Sequence, residues 1–335
     1  MRASNRRGST AAAGRRGLLG LTALATLPGI GSAQSNPAYP TRPIRLIVPW
    51  NPGAFTDAGA RLVAGKLRDE WGQPVVVENR AGANGMLGSA AAARAAPDGY
   101  TLLLATADTH SINPTLYRNV PYDAARDFVP VAPIATLPLV LALHPSQRPQ
   151  TLAELIAAAK AGPGQLRFGS WGEGSTAHLA AALLQSVADI EVLHVSYRGA
   201  AAFLTDLIAG HVDGGFISLP MAMSTRQQNS VRMLGITSPA RHAALPDLPA
   251  IAETFPGFEV QLWYGVMAPA GTPAPIVVQL TAAIQRGLQA EDVRDRLSAA
   301  QVTAMLASPE EFARFTQEQL RSWGRIVELS GVRLD

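Results

Sequence analysis

The sequence predicts an α/β fold, and two observations carry that prediction. Short apolar runs rich in β-branched residues alternate with stretches of helical periodicity, as they do in proteins built around parallel sheets. The 335 residues also exceed the roughly 250–300 that one hydrophobic core usually serves, so we expect two domains. In folds of this class, ligands bind beyond the carboxyl ends of the strands.

The first 33 residues have the composition of an export signal. Five arginines and no acidic residue lie within the first 16 positions, and the mostly apolar stretch 18–30 follows. This stretch is shorter than the roughly 20 residues that span a bilayer. Cleavage after Ala33 leaves small residues at the required positions, and Arg15 with Arg16 resembles a twin-arginine signal, although a Sec signal is also compatible. We therefore predict a signal peptide over 1–33 and a periplasmic protein.

Charge and cysteine content exclude several function classes. The net charge is +3, and the leader's arginines alone exceed it, so the rest of the chain is weakly acidic. Nucleic acid is therefore not an expected partner. The absence of cysteine excludes disulfides, thiolate chemistry, cysteine metal sites and a lipid-anchoring cysteine after the signal peptide.

The opening unit of the mature chain is a strand, a loop and a helix. Four of the five residues 44–48 are apolar, and two prolines and a glycine within 49–53 then interrupt regular structure. Helical spacing resumes at Ala58, so the side chain of Thr56 or Asp57 can cap the new helix. This arrangement directs a helix N-terminus, which favours anions, towards whatever lies beyond the strand.

The later elements follow the same alternation. We predict strands at 74–79, 100–106, 131–136, 139–143, 165–169, 191–195, 214–217, 232–237 and 258–269, and helices at 58–70, 86–95, 152–161, 177–187, 200–209, from 218, 275–288, 290–297 and 309–329. Ser175 or Thr176 is the expected cap of helix 177–187. Residues 37–139 with 263–335 are predicted to form domain I, and 140–262 domain II. The chain then crosses between domains near 138–144 and 258–265.

Small polar residues occupy the loops at the predicted carboxyl ends of the strands. These loops are 49–57, 106–113, 170–176, 196–199 and 218–220. They supply hydroxyls and backbone N–H donors rather than general acids or bases, which suits holding a carboxylate without reacting with it. Binding is therefore the predicted function.

Catalytic and cofactor motifs do not assemble in the sequence. The phosphate-binding loop, the nucleophile elbow and the zinc-protease helix motif are missing, and the six histidines show no ligand-like spacing. We predict no metal and no cofactor. A serine hydrolase built from Ser170 or Ser175, His110 or His178, and Asp57 remains an alternative, because triad members need only meet in space.

Several motifs resemble the Bug family, the extracytoplasmic solute receptors of tripartite tricarboxylate transport systems. Residues 44–57 are similar to the family's opening strand and its P-x-x-P-G-G-x-x-D loop. Further similar stretches lie at 73–80, 96–100, 109–114, 248–253 and 268–273. The resemblance covers Tyr39 to Leu329, nearly the whole predicted mature chain.

This resemblance implies a two-domain, type II Venus-flytrap fold with two interdomain crossings, closing on a small carboxylate. The expected partners of the monomeric receptor are membrane transporter subunits, with a sensor kinase as the alternative. The ligand site is expected to contain Trp50, Asn51, Gly53, Ala54, Asp57, Thr106, Thr109, Ser170, Trp171, Ser175, Thr176, Arg198 and Ser218. For Asp57, Ser175 and Thr176, helix capping is an alternative to ligand contact.

Departures from the family pattern indicate an unusual ligand. Ala54 replaces the second glycine of the first loop, and Ile217 and Ser218 stand where many relatives have aspartate and asparagine. A carboxylate that could face a cationic ligand is therefore missing. Trp50 and Trp171 offer flat apolar surfaces on which a ring can stack. We expect a monocarboxylate with an apolar or aromatic body and no ammonium group.

Overall fold

The computed structural model describes residues 39–53, 55–226 and 228–334. The predicted signal peptide and Ala54 lie outside the described residues. Ten strands are assigned within these ranges: β1 Ile44–Val48, β2 Val75–Asn79, β3 Thr101–Thr106, β4 Phe128–Leu143, β5 Arg167–Ser170, β6 Leu193–Ser196, β7 Gly214–Ser218, β8 Arg232–Ile236, β9 Gln261–Pro269 and β10 Thr303–Ala304.

Helices connect and cover these strands. The α-helices of the described ranges are α1 Phe55–Trp71, α2 Met86–Ala93, α3 Asn113–Leu116, α4 Leu152–Ala161, α5 Thr176–Ala188, α6 Ala200–Ala209, α7 Leu219–Arg226, α8 Ala274–Gln289, α9 Glu291–Ala299 and α10 Pro309–Ser330. A π-helical turn, Asp108–Ile112, and a 3₁₀ turn, Ile251–Glu253, complete the set. None of the helices in the described part is both long and apolar enough to cross a membrane.

The strands form one continuous mixed sheet in the order β2-β1-β3-β9-β4-β7-β5-β6, with β8 and β10 also paired to β4. Parallel pairing joins β1 to β2 and β3, and β5 to β6 and β7. The long central strands β4 and β9 run antiparallel to each other and to their other neighbours. The parallel groups on either side of this pair correspond to the predicted repeated strand-helix units.

Strand β4 corrects the sequence prediction. Its 16 residues form one strand, whereas the sequence predicted two short runs after an irregular segment. Three prolines within β4 caused the error, because proline cannot donate to a sheet. The register with β9 shifts between Pro130 and Ala132 and again between Pro133 and Ala135, and such irregularities accommodate prolines.

The partners of β4 change along its length. Residues from Phe128 to Pro138 pair with β9, and residues from Leu139 to Leu143 pair with β7. The change falls within 138–144, where the sequence predicts the first crossing between domains. The exact domain boundaries stay a prediction.

The core of the fold lies on both faces of the sheet. All four apolar residues of β1 are fully buried, and every residue of β3 is buried, as expected for strands covered by helices on both sides. Trp263 of β9 packs edge-on against Phe312 of α10 with ring centroids 5.9 Å apart, and both side chains are fully buried. Burying a large apolar side chain contributes about 1.5–3 kcal/mol, so these contacts hold the strands that position the binding loops.

Candidate functional site

A cavity of about 850 Å³ opens beyond the carboxyl ends of β1, β5, β6 and β7, a volume suited to a small organic ligand. Its walls come from residues 50–53, 56, 58, 81–85, 108 and 117, from 171–173, 197–202, 204, 218, 220, 221 and 224, and from 262 and 264 of β9. Six of the thirteen predicted site residues line it: Trp50, Asn51, Gly53, Trp171, Arg198 and Ser218.

Two features of the cavity wall favour an anion: Arg198 and the start of α6. Among the described lining residues, Arg198 is the one lysine or arginine. The next residue, Gly199, precedes α6 at φ 118° and has no side chain to cap it, so the first N–H groups of α6 are not covered by a side chain. Ala200, Ala201 and Ala202 of that first turn line the cavity. A helix N-terminus beside a guanidinium favours an anion.

Asn79, at the end of β2, holds the loop after β1. Its Nδ2 donates to the carbonyl oxygen of Trp50 and to Oδ1 of Asp57, both at 3.0 Å. Arg61 donates to the other carboxylate oxygen of Asp57 at 2.9 Å, and this hydrogen bond is the main reason why the pKa of Asp57 is lowered. Asp57 therefore braces the loop and does not line the cavity. It also lies inside the first turn of α1, which begins at Phe55, earlier than predicted.

Three residues that line the cavity carry buried polar atoms without a hydrogen-bond partner: Nε1 of Trp50, Oγ1 of Thr56 and Oδ1 of Asn84. Such atoms are rare in folded proteins and often mark a place where a ligand or water completes the structure. Sequence reasoning missed Thr56 and Asn84 as site residues. Their positions just after the Pro-Gly turn and in the Gly-rich turn before α2 were the available signals.

Thr106 and Thr109 do not reach the cavity, contrary to the prediction. Both are buried, and Oγ1 of Thr109 accepts from the Thr106 N–H at 3.0 Å and contacts Nδ1 of His110 at 2.9 Å. These bonds shape the turn from β3 into the π-helical segment, which the sequence predicted as a polar loop. Burial lowers the pKa of His110 to about 3, so its ring is neutral.

The hydroxyls of the 170–176 loop also point into the protein. Ser170 Oγ donates to the Gly172 carbonyl at 2.9 Å, and Ser175 Oγ donates to the same carbonyl at 2.6 Å. Ser175 is the N-cap of α5, accepting from the N–H of His178, which confirms one of the two predicted caps. Neither serine lines the cavity, whereas Trp171 between them does.

Thr176 is bound by a residue that sequence reasoning missed. Its backbone N–H and its Oγ1 donate to Oδ1 of Asp108 at 2.6 and 2.8 Å, so Thr176 does not line the cavity. Asp108 does line it and is only 3% exposed. Burial raises the pKa of Asp108 to about 6, although the two bonds from Thr176 act in the opposite direction.

The alternative serine hydrolase is not assembled. Ser170 Oγ contacts His194 Nε2 at 2.8 Å, and the hydrogen bonds of Asp57 go to Arg61, Asn79 and Gly53. Ser170 is also fully buried. Within the described residues, no group of three or more histidine and acidic side chains is arranged to hold a metal ion.

Comparison with known proteins identifies close relatives. The family model of the tripartite tricarboxylate transporter family receptor matches residues 59–332. A UPF0065 protein from the tcbD-tcbE intergenic region of Pseudomonas sp. strain P51 is 40% identical over 94% of both chains. The protein BugT of Bordetella pertussis is 36% identical over 91% of this chain and 94% of its own.

Solved structures support the same relationship. Rpa4515 of R. palustris with adipate superposes with a TM-score of 0.84 at 33% identity, covering 88% of this chain and 99% of that one. MatC from Rhodopseudomonas palustris with bound malate gives 0.81 at 32% identity, covering 86% and 100%. The periplasmic binding protein BugD gives 0.82 at 32% identity, covering 88% and 99%. These likenesses confirm the predicted two-domain α/β binding-protein fold.

Proposed function

This chain belongs to the tripartite tricarboxylate transporter receptor family, and we propose that it captures a small carboxylate in the periplasm and delivers it to membrane transporter subunits. Two structural relatives hold adipate and malate, which are both carboxylates. The family description, a receptor of tripartite tricarboxylate transporters, supports delivery to a transporter. Carboxylate capture is supported by the geometry of the cavity itself.

The observation that carries the proposal is the pairing of Arg198 with the α6 N-terminus at one end of the cavity. A carboxylate there accepts hydrogen bonds from the guanidinium and from backbone N–H groups of the first turn, and such charge-assisted bonds are the strong ones. The remaining wall includes Trp50, Trp171 and Leu262, which can cover the apolar part of a ligand.

Contacts across the cavity suggest how the ligand is enclosed. Asn51 Nδ2 donates to the Arg198 carbonyl at 3.3 Å, and Tyr117 OH donates to the Glu173 carbonyl at 3.3 Å. Each bond joins a residue of predicted domain I to one of predicted domain II. We propose that these bonds form on closure about the crossings near 138–144 and 258–265, the expected motion for such receptors.

The test is calorimetric titration of the mature protein with a panel of carboxylates, beginning with any small molecule that mass spectrometry finds released from the purified protein. Arg198→Ala should weaken binding by about tenfold or more, because a hydrogen bond to a charged group is lost. Arg148→Ala is the matched control, since Arg148 is exposed and does not line the cavity. Unchanged affinity in Arg198→Ala would show that the ligand carboxylate does not bind at this end of the cavity.

A further inference from the structure

The cavity contains a carboxylate of the protein's own. Asp108 follows β3 in the π-helical turn, is 3% exposed, and is one of the lining residues. Its Oδ1 accepts two hydrogen bonds from Thr176, the first residue of the 13-residue helix α5. Ser170, Ser175 and Thr176, which the family resemblance placed in the ligand site, lie in the 170–176 loop and at the start of α5.

Asp108 therefore occupies an anion site that the ligand would otherwise use. A helix N-terminus stabilises one nearby negative charge through its uncovered N–H groups and its dipole. At α5, the Thr176 N–H and hydroxyl are already bound to Asp108, and the Ser175 hydroxyl caps the helix. Because Asp108 belongs to predicted domain I and Thr176 to predicted domain II, a ligand carboxylate held here would compete with Asp108 for these donors when the domains close.

The cavity wall therefore carries acidic side chains as well as a cation. Asp108 and Glu173 are the acidic residues among the described lining residues, and Arg198 is the cation. A second ligand carboxylate placed away from Arg198 would meet the carboxylate of Asp108 in a poorly solvated setting, where like charges repel strongly. Glu173 is exposed, so water screens its charge more effectively.

The rest of the wall favours an apolar group. Leu204, Met221 and Leu262 line the cavity together with Trp50 and Trp171. Such a surface gains free energy by covering hydrocarbon or an aromatic ring and gains nothing from a second carboxylate.

We propose that Asp108 is a specificity-determining residue that restricts this receptor to monocarboxylates with an apolar body and rejects dicarboxylates. The inference rests on the proposed capture of a carboxylate at Arg198. It also separates this chain from the relatives whose structures hold adipate and malate, because each of those ligands carries two carboxylates.

The test uses a matched series of six-carbon ligands at pH 8: hexanoate, adipate and 6-aminohexanoate, with benzoate as an aromatic probe. Native protein should bind hexanoate or benzoate at least tenfold more tightly than adipate. It should also bind 6-aminohexanoate more tightly than adipate, because the charge of Asp108 repels a carboxylate and attracts an ammonium group. Asp108→Asn keeps the side-chain shape and the acceptor for Thr176 while removing the charge. The ratio of the affinity for hexanoate to the affinity for adipate should therefore fall at least fivefold in this variant. Asp189→Asn, at the exposed far end of the same helix, is the charge-matched control and should leave the preference unchanged.

The outcomes distinguish this inference from the proposed capture of a carboxylate, on which it rests. Native protein that binds adipate as tightly as hexanoate and benzoate, or more tightly than 6-aminohexanoate, overturns the inference and leaves carboxylate capture standing. An unchanged preference in a folded Asp108→Asn protein also overturns it. Failure of all four probes to bind overturns carboxylate capture as well. The native preference decides the question if the variant does not fold.

Discussion

The rings of His178 and His194 stack face to face behind the 170–176 loop, with centroids 3.7 Å apart and an interplanar angle of 3°. Stacked imidazoles at this distance are compatible with neutral rings and not with two cations. Burial, and to a lesser extent His194, lowers the pKa of His178 to about 4, and burial also lowers the pKa of His194. His178 Nδ1 accepts from the Gly174 N–H at 3.0 Å, a bond that protonation of Nδ1 would break.

Acidification should therefore destabilise the folded protein through His178. The unfolded chain titrates near pH 6.5 and the folded one near 4, so the unfolded state binds more protons between these values. The stabilisation is complete above pH 6.5 and is lost as the pH falls through about 4, on the order of 3 kcal/mol in total. Asp108 acts in the opposite direction, because its pKa is raised, so the comparison must be made between variants.

Thermal melts of native protein and His178→Asn from pH 8 to pH 4.5 check this prediction. The fall in melting temperature on acidification should be smaller in the variant, whose amide oxygen accepts a hydrogen bond without titrating. His242→Asn, at a partly exposed position outside the 170–176 loop, is the control and should follow the native curve. Parallel curves for all three proteins would contradict the assignment.

Asn79→Ala should weaken ligand binding, although Asn79 does not line the cavity. The substitution removes the bonds to the Trp50 carbonyl and to Asp57, leaving the loop after β1 less constrained. We expect a loss of about 1–3 kcal/mol in unfolding free energy, because buried acceptors lose their donor. Urea unfolding and calorimetry measure the two effects. Full affinity in the variant would show that Asn79 does not position the binding loop.

Trp171→Leu should reduce affinity for aromatic acids more than for aliphatic ones. Trp171 lines the cavity at 8% exposure, and ring pairing contributes about 0.5–1.5 kcal/mol beyond the area buried. The affinity for benzoate should therefore fall several-fold relative to that for hexanoate. Trp71→Leu, at the end of α1 and outside the cavity, is the control. Equal losses for both ligands would argue against stacking.

Ligand binding should reduce the radius of gyration. Asn51 and Tyr117 form hydrogen bonds across the cavity that an open form could not keep. Small-angle scattering with and without a tight ligand measures the change, and Asn51→Ala should shift the ligand-free protein towards the larger value. An unchanged radius on ligand addition would argue against domain closure.

Local patterns were sufficient to predict the alternation of strands and helices and to narrow the cap of α5 to Ser175 or Thr176, whereas the two cavity tryptophans came from the family resemblance. They failed where the outcome depends on distant partners. The three prolines of β4 hid a central strand whose pairing is set by β9 and β7. Thr106 and Thr109 have the composition of a binding loop, yet their hydroxyls close a buried turn. Asp108 gave no local signal, because its role depends on Thr176, 68 residues further along the chain.

The most direct test of carboxylate capture is a crystal structure of the mature protein with its tightest-binding monocarboxylate. We predict carboxylate oxygens about 3 Å from the Arg198 guanidinium and from backbone nitrogens of the first turn of α6. The apolar body should lie against Trp50 or Trp171, with the bonds from Thr176 to Asp108 intact. A carboxylate bound at Thr176 in place of Asp108, with Arg198 turned away from the ligand, would contradict the account.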